Sequence, residues 1–113
     1  MHRVERLSSL LREEISWILE RDIKDPGIGM VTITGVELSK DYRLARVSFS
    51  SLLAEGELQG EQRSLNRAIP FIRKLLGKRL DLKIIPEIVF KKDPGPAHAQ
   101  RIEEIISRLH GHR

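Results

Sequence analysis

Arg63-Ser64-Leu65-Asn66-Arg67-Ala68-Ile69-Pro70-Phe71-Ile72-Arg73-Lys74-Leu75-Leu76-Gly77-Lys78-Arg79-Leu80 is the stretch that decides the architecture. Wound at about 100° per residue, it puts Leu65, Ala68, Ile69, Ile72, Leu75, Leu76 and Leu80 on one side. Arg63, Arg67, Lys74 and Lys78 fall on the other. Pro70 interrupts the run, because it offers no N–H to the carbonyl of Asn66 and its ring crowds that turn. The pattern predicts two short helices meeting at a kink at Ala68-Ile69-Pro70, with Pro70 as a first helical residue. The apolar underside needs a layer to bury it. The cationic upper side suits a polyanion, and the expectation is that it docks on an RNA backbone.

Ahead of this stretch, residues 52–62 carry two glycines and read as a loop. Residues 43–51 alternate, with Ala45, Val47 and Phe49 inward and Arg46, Ser48 and Ser50 outward, which predicts a half-buried strand. Residues 30–39 predict another strand, but Val31 and Ile33 are out of phase with Val36 and Leu38. One inserted residue at Gly35 restores both pairs to one face, so a β-bulge is expected there. The polar turn Ser39-Lys40-Asp41 joins the two runs as an antiparallel hairpin. Residues 3–23 place Val4, Leu7, Leu11, Ile15, Ile18 and Leu19 at helical spacing, and Asp25-Pro26-Gly27 ends that helix. Trp17 lies off the apolar stripe; it reads either as a stacking platform for a base or as a cap on the edge of the core.

Beyond the quoted stretch, residues 84–91 predict a third strand, with Pro86 near its start or on an edge. A last helix is expected from Ala97 to Leu109, burying Ile102, Ile105, Ile106 and Leu109. The second and third strands are joined by a helical crossover and are therefore candidates for parallel pairing. The reading is one α+β domain over residues 1–113, a two-layer sandwich with helices on one face of a small sheet.

Charge narrows the function. The chain has a net charge of +4, yet residues 63–92 hold nine cations against two carboxylates, a local +7 that leaves −3 for the remainder. Such asymmetry points to a polyanionic partner. The absence of cysteine excludes disulfides and thiolate metal sites and fits a reducing compartment. No apolar run is long enough to span a membrane, and the first residues carry no signal-like segment, so a soluble cytoplasmic protein is expected. The four histidines are scattered, no nucleophile–base pairing is suggested, and Gly27-Ile28-Gly29 lacks the lysine of a phosphate loop. A binding protein without catalytic site, cofactor or metal is expected.

Four blocks resemble a known family. They are Arg21-Asp22-Ile23-Lys24-Asp25-Pro26-Gly27-Ile28-Gly29-Met30 with Val31-Thr32; Val36-Glu37-Leu38-Ser39-Lys40-Asp41; Phe71-Ile72-Arg73-Lys74-Leu75-Leu76-Gly77-Lys78; and Ile85-Pro86-Glu87-Ile88-Val89-Phe90 with Asp93. In this order and spacing they are similar to bacterial ribosome-binding factor A. The resemblance implies a type II KH-like fold, α-β-β-α-kink-α-β, here followed by a C-terminal helix. It implies an Ala-x-Gly kink in place of the usual Gly-x-x-Gly loop; the matching positions are Ala68-Ile69-Pro70, with proline where glycine is common. It further implies a factor that binds free, immature 30S subunits, contacts 16S rRNA and assists late maturation and 5′-end processing; a monomer is expected, with the oligomeric state open. Growth in the cold, ribosomal proteins and assembly GTPases belong to the same implication.

The residues expected to carry RNA binding are Arg63, Arg67, Lys74 and Lys78, flanked by Arg73, Arg79 and Lys83, with Arg43 and Arg46 extending the surface. Contacts of this kind position a protein on phosphates and read little sequence. The competing readings are a protein–protein adaptor on the ribosome that uses Trp17, residues 52–62 and the last helix, its charge serving only solubility, and another small KH-type RNA-binding module.

Overall fold

Two phase-inverted apolar pairs set the geometry of the first strand. In the computed structural model, which describes residues 3–28, 31–52 and 55–93, β1 (Val31–Leu38) pairs antiparallel with β2 (Leu44–Ser51). The register shifts between Ile33 and Gly35, so Thr34 is the extra residue of a bulge. The bulge turns Ile33 and Leu38 into the core and lets Val31 and Val36 pack against it, as the sequence requires. Thr34 is then used elsewhere: its Oγ1 donates to Asp93 Oδ2 at 2.9 Å.

β3 (Glu87–Lys92) lies parallel to β2, giving the sheet order β1-β2-β3. It starts three residues later than expected, immediately after the buried Pro86, which has no N–H for the ladder. On the sheet's covered face Phe49 and Phe90 meet edge to face, with ring centroids 6.3 Å apart. Arg46, Glu37 and Val89 stand exposed on the other face.

α1 (Arg3–Trp17) buries Leu11 and Ile15. It runs on as a π-helical turn, Ile18–Asp22, closed by the Ile23 N–H on the Ile18 carbonyl at 3.1 Å. The wider turn keeps Ile18 buried while Trp17 and Arg21 face out. α2 is one helix, Glu55–Arg79, and this corrects two expectations. Residues 55–62 are helical, not loop: the helical glycines there cost about 1 kcal/mol each, and each residue added to a helix already nucleated over Leu65, Ile72 and Leu76 gains a backbone hydrogen bond. The two helices expected to meet at Ala68-Ile69-Pro70 form one continuous helical run, with Pro70 inside it and exposed to solvent. There its missing amide and its ring disturb only the outer wall of the helix, where water reaches the carbonyl left over. The helix expected over residues 97–109 lies outside the described residues.

One glycine is set by close approach. A Cβ on Gly27 would collide with Ser64 Oγ and crowd Asp25 Oδ1 at 3.1 Å. Gly27 thus lets the loop after α1 press on α2.

Candidate nucleic-acid interface

The helical wheel of α2 places Leu65, Ile72 and Leu76 inward, and the same periodicity brings Arg63, Arg67, Lys74 and Lys78 onto one exposed ridge. Among the described residues, no ion pair involves Arg63, Lys74 or Lys78. Lys83, in the loop after the helix, is likewise exposed and without an ion pair there. Arg67 is shared. Its Nη2 lies 3.5 Å from Asp25 Oδ2 and donates to Ser64 Oγ at 3.0 Å, with two thirds of its side chain still open to solvent. Asp25 in turn accepts the Gly27 N–H at 2.8 Å, so one carboxylate both closes the loop and orients the arginine.

The flanking cations do other work. Arg73 Nε donates to the Pro86 carbonyl at 3.0 Å and its Nη2 to the Ile85 carbonyl at 2.9 Å, which fastens the approach to β3. Arg79 reaches back to the end of α1, with Nη2 3.0 Å from Asp22 Oδ2 and Nη1 3.8 Å from Glu14 Oε1. Both oxygens are sealed from solvent and have no well-directed hydrogen bond, so this guanidinium supplies their compensation. Arg46 sits on the sheet face that the helices leave uncovered, 3.7 Å from Glu37. Arg43 is exposed at the hairpin turn. The Ser39 hydroxyl and then the Arg43 amide donate to Asp41 there, at 2.7 and 3.1 Å, and hold its carboxyl below the usual carboxylate range.

Nine expected contacts therefore separate into a ridge of four with Lys83 beyond its end, two structural clamps, and two arginines on the hairpin. Sequence reading missed an apolar element in the ridge: Pro70 is exposed between Arg67 and Lys74, and Phe71 beside it is 43% exposed. Phe71, Ala68 and Ile23 line a shallow depression with Asp22, Asp25 and Arg67. Phe71 was legible as off the apolar stripe, but the fully apolar run Ala68-Ile69-Pro70-Phe71-Ile72 masked it. Trp17 is 49% exposed and carries the Arg21 guanidinium 3.9 Å above its ring. Among the described residues, no cluster of His, Asp and Glu is arranged to hold a metal, and no helix is long and apolar enough to cross a membrane.

Comparison with known proteins bears on this arrangement. The family model for ribosome-binding factor A matches residues 3–106. The chain is similar to ribosome-binding factor A of Natranaerobius thermophilus, 45% identical over 108 residues, which span 95% of this chain and 82% of the relative. Its fold is similar to the crystal structure of ribosome-binding factor A from Thermus thermophilus, with a TM-score of 0.71 and 24% identity over 79% of this chain and 93% of that one. It is also similar to the Thermus thermophilus factor as fitted into a cryo-EM map of a 30S complex, with a TM-score of 0.63 and 24% identity over 74% and 88% of the two chains.

Proposed function

The chain belongs to the ribosome-binding factor A family, and from that premise we propose that it binds the 30S subunit through the outer ridge of α2. The observation that carries the reading is the exposed row Arg63, Arg67, Lys74 and Lys78, in which Asp25 is the one carboxylate paired with a ridge cation among the described residues. Its partner is 16S rRNA in a free, immature subunit, and its role is late maturation, including processing of the 5′ end. It acts as a cytoplasmic monomer, supports growth in the cold, and leaves as the subunit matures with the help of assembly GTPases.

No covalent step is needed. A rigid cationic ridge that fits one rRNA conformer better than its competitors raises that conformer's population by its differential affinity alone. The ridge holds phosphates and supplies register; shape, and contacts with ribosomal proteins, supply selectivity. Arg73 and Arg79 are left out of this interface because their guanidinium groups are committed within the fold.

The test is gradient co-sedimentation with 30S and 70S particles at several salt concentrations. Wild-type protein should travel with 30S alone. Arg63→Ala with Lys74→Ala, both at exposed positions, should weaken the association and lower the salt slope by about 1.4–1.8, the loss of two phosphate contacts. Unchanged affinity and slope would remove this face from the interface. The adaptor reading has one observation in its favour, the half-exposed Trp17 with Arg21 stacked on it, a pairing frequent in protein–protein hot spots. Association that persists in high salt and is lost in Trp17→Ala would support it instead.

A further inference from the structure

Apart from the ridge, a groove of about 470 Å³ opens between the first turns of α1, the β1–β2 turn and the loop that follows α2. Leu7, Leu10 and Ile84 give it apolar walls, and Tyr42 stands among them. Arg3, Arg6 and Lys83 edge it, all three exposed and none paired with a carboxylate among the described residues; Asp81 is its single acid. Apolar walls beneath a net positive mouth suit a ligand that is flat and greasy at one end and anionic at the other.

Tyr42 is the second observation. Its φ is +66°, a left-handed conformation that a bulky side chain adopts only against a cost of about 1 kcal/mol. The turn enforces it. The Tyr42 N–H donates to the Ser39 carbonyl at 3.0 Å, the Ser39 N–H to the Leu44 carbonyl at 2.8 Å, and the Leu44 N–H to Ser39 Oγ at 3.0 Å. Asn or Gly would hold this turn with less strain. The ring is what the strain keeps in place, partly packed on the core and partly facing the groove.

We propose that this groove takes one unpaired RNA nucleotide, its base against Tyr42 and the apolar walls, its phosphate among Arg3, Arg6 and Lys83. The volume falls in the range of small-molecule sites, which suits one nucleotide and is short for a docked helix of several turns. Three cations around one compact mouth match a phosphate better than carboxylates spread along a peptide. Lys83, in the loop that follows α2 five residues after Lys78, lines the groove. The proposal rests on the RNA reading above and adds to it a subsite that grips a base.

The experiment uses the full chain and single-stranded hexa-adenylate, with an abasic ribose-phosphate hexamer and AMP as separate arms, followed by amide NMR shifts and fluorescence-anisotropy titration. Hexa-adenylate should shift Tyr42 and Ile84 and bind at least about five-fold more tightly than the abasic hexamer, the contribution of one stacked base. Tyr42→Asn, which keeps the left-handed turn, should abolish that difference. Lys83→Glu at its exposed site should weaken hexa-adenylate at least as much, and this variant keeps the test decisive if loss of the ring disturbs the fold. Groove shifts with AMP alone would identify a free nucleotide as the ligand and overturn the RNA assignment. Shifts confined to α2, equal binding of the abasic hexamer, or groove shifts with an acidic amphipathic peptide but not with hexa-adenylate would overturn the proposal. A silent groove in a protein that still co-sediments with 30S sinks the groove alone, whereas loss of co-sedimentation in the wild type sinks the reading beneath it.

Discussion

Arg79→Met removes a charge that sequence assigns to RNA and structure assigns to the fold. The guanidinium faces two carboxylates on α1 and its π-helical turn, Asp22 at 3.0 Å and Glu14 at 3.8 Å, and one oxygen of each is sealed from solvent. Stranding one partner of a fully buried pair costs about 3–5 kcal/mol. Here the arginine side chain is 34% exposed and the carboxylates 27%, so water can relax in and the cost falls to about 2–3 kcal/mol. Methionine keeps the aliphatic stem, so the loss is electrostatic. In a domain of this size that lowers the melting midpoint by roughly 10–15 °C. Urea denaturation should show a lower midpoint with an unchanged slope. Adding Asp22→Asn, which removes one stranded charge, should recover part of the loss, a coupling that a double-mutant cycle reads directly. The salt slope for 30S association should not move. A change in stability below about 0.5 kcal/mol, the scatter of ordinary surface substitutions, would refute the clamp. A slope reduced by about 0.7 or more would hand Arg79 back to the RNA.

Other expectations concern single positions. Glu61 is 1% exposed and neither carboxyl oxygen has a hydrogen-bond partner among the described residues; Glu61→Leu should stabilise the protein by about 1–3 kcal/mol, whereas Glu61→Gln, which buries an amide in the same place, should gain little by chemical denaturation. Gly27→Ala should destabilise by more than about 1 kcal/mol, since the new methyl meets Ser64 Oγ, and should loosen Arg67 from Asp25, read as faster exchange of the Gly27 amide. Asp41 has a lowered folded pKa. Its contribution is therefore present above the unfolded value of about 3.9 and is lost as pH falls through the lower folded one. Acid unfolding of Asp41→Asn should lack that component, and a carboxyl NMR titration of the wild type should have its midpoint below the unfolded value.

How much of this was legible depends on the range of the cause. The bulge at Gly35 followed from a one-residue phase error inside one strand. The buried face of α2 followed from spacing along one helix, and the parallel pairing of β2 with β3 from the crossover between them. What failed required knowledge of distant neighbours. Arg73 and Lys74 are adjacent cations on one helix, yet one caps two carbonyls 12 and 13 residues away and the other meets solvent. Arg79 looked like an extension of the ridge because the acids that claim it lie more than fifty residues upstream. Of the loop expected over residues 52–62, residues 55–62 belong to α2, because a helix already anchored by its buried face extends at the cost of local glycine penalties alone, and that anchor is a tertiary term. Proline at position 70 was read as dividing two short helices, whereas the helical run continues through it with the ring on the exposed side, a side set by the sheet below.

An unbroken α2 also makes the protein a gauge. From Arg63 to Lys78 the axial distance is about 22 Å at 1.5 Å per residue, along a helical run that continues through Pro70. On the proposed RNA reading, phosphates spaced to match this span would meet all four cations at once, and a strand of other spacing would meet fewer. A caliper of this kind would sort partners by length as well as by charge.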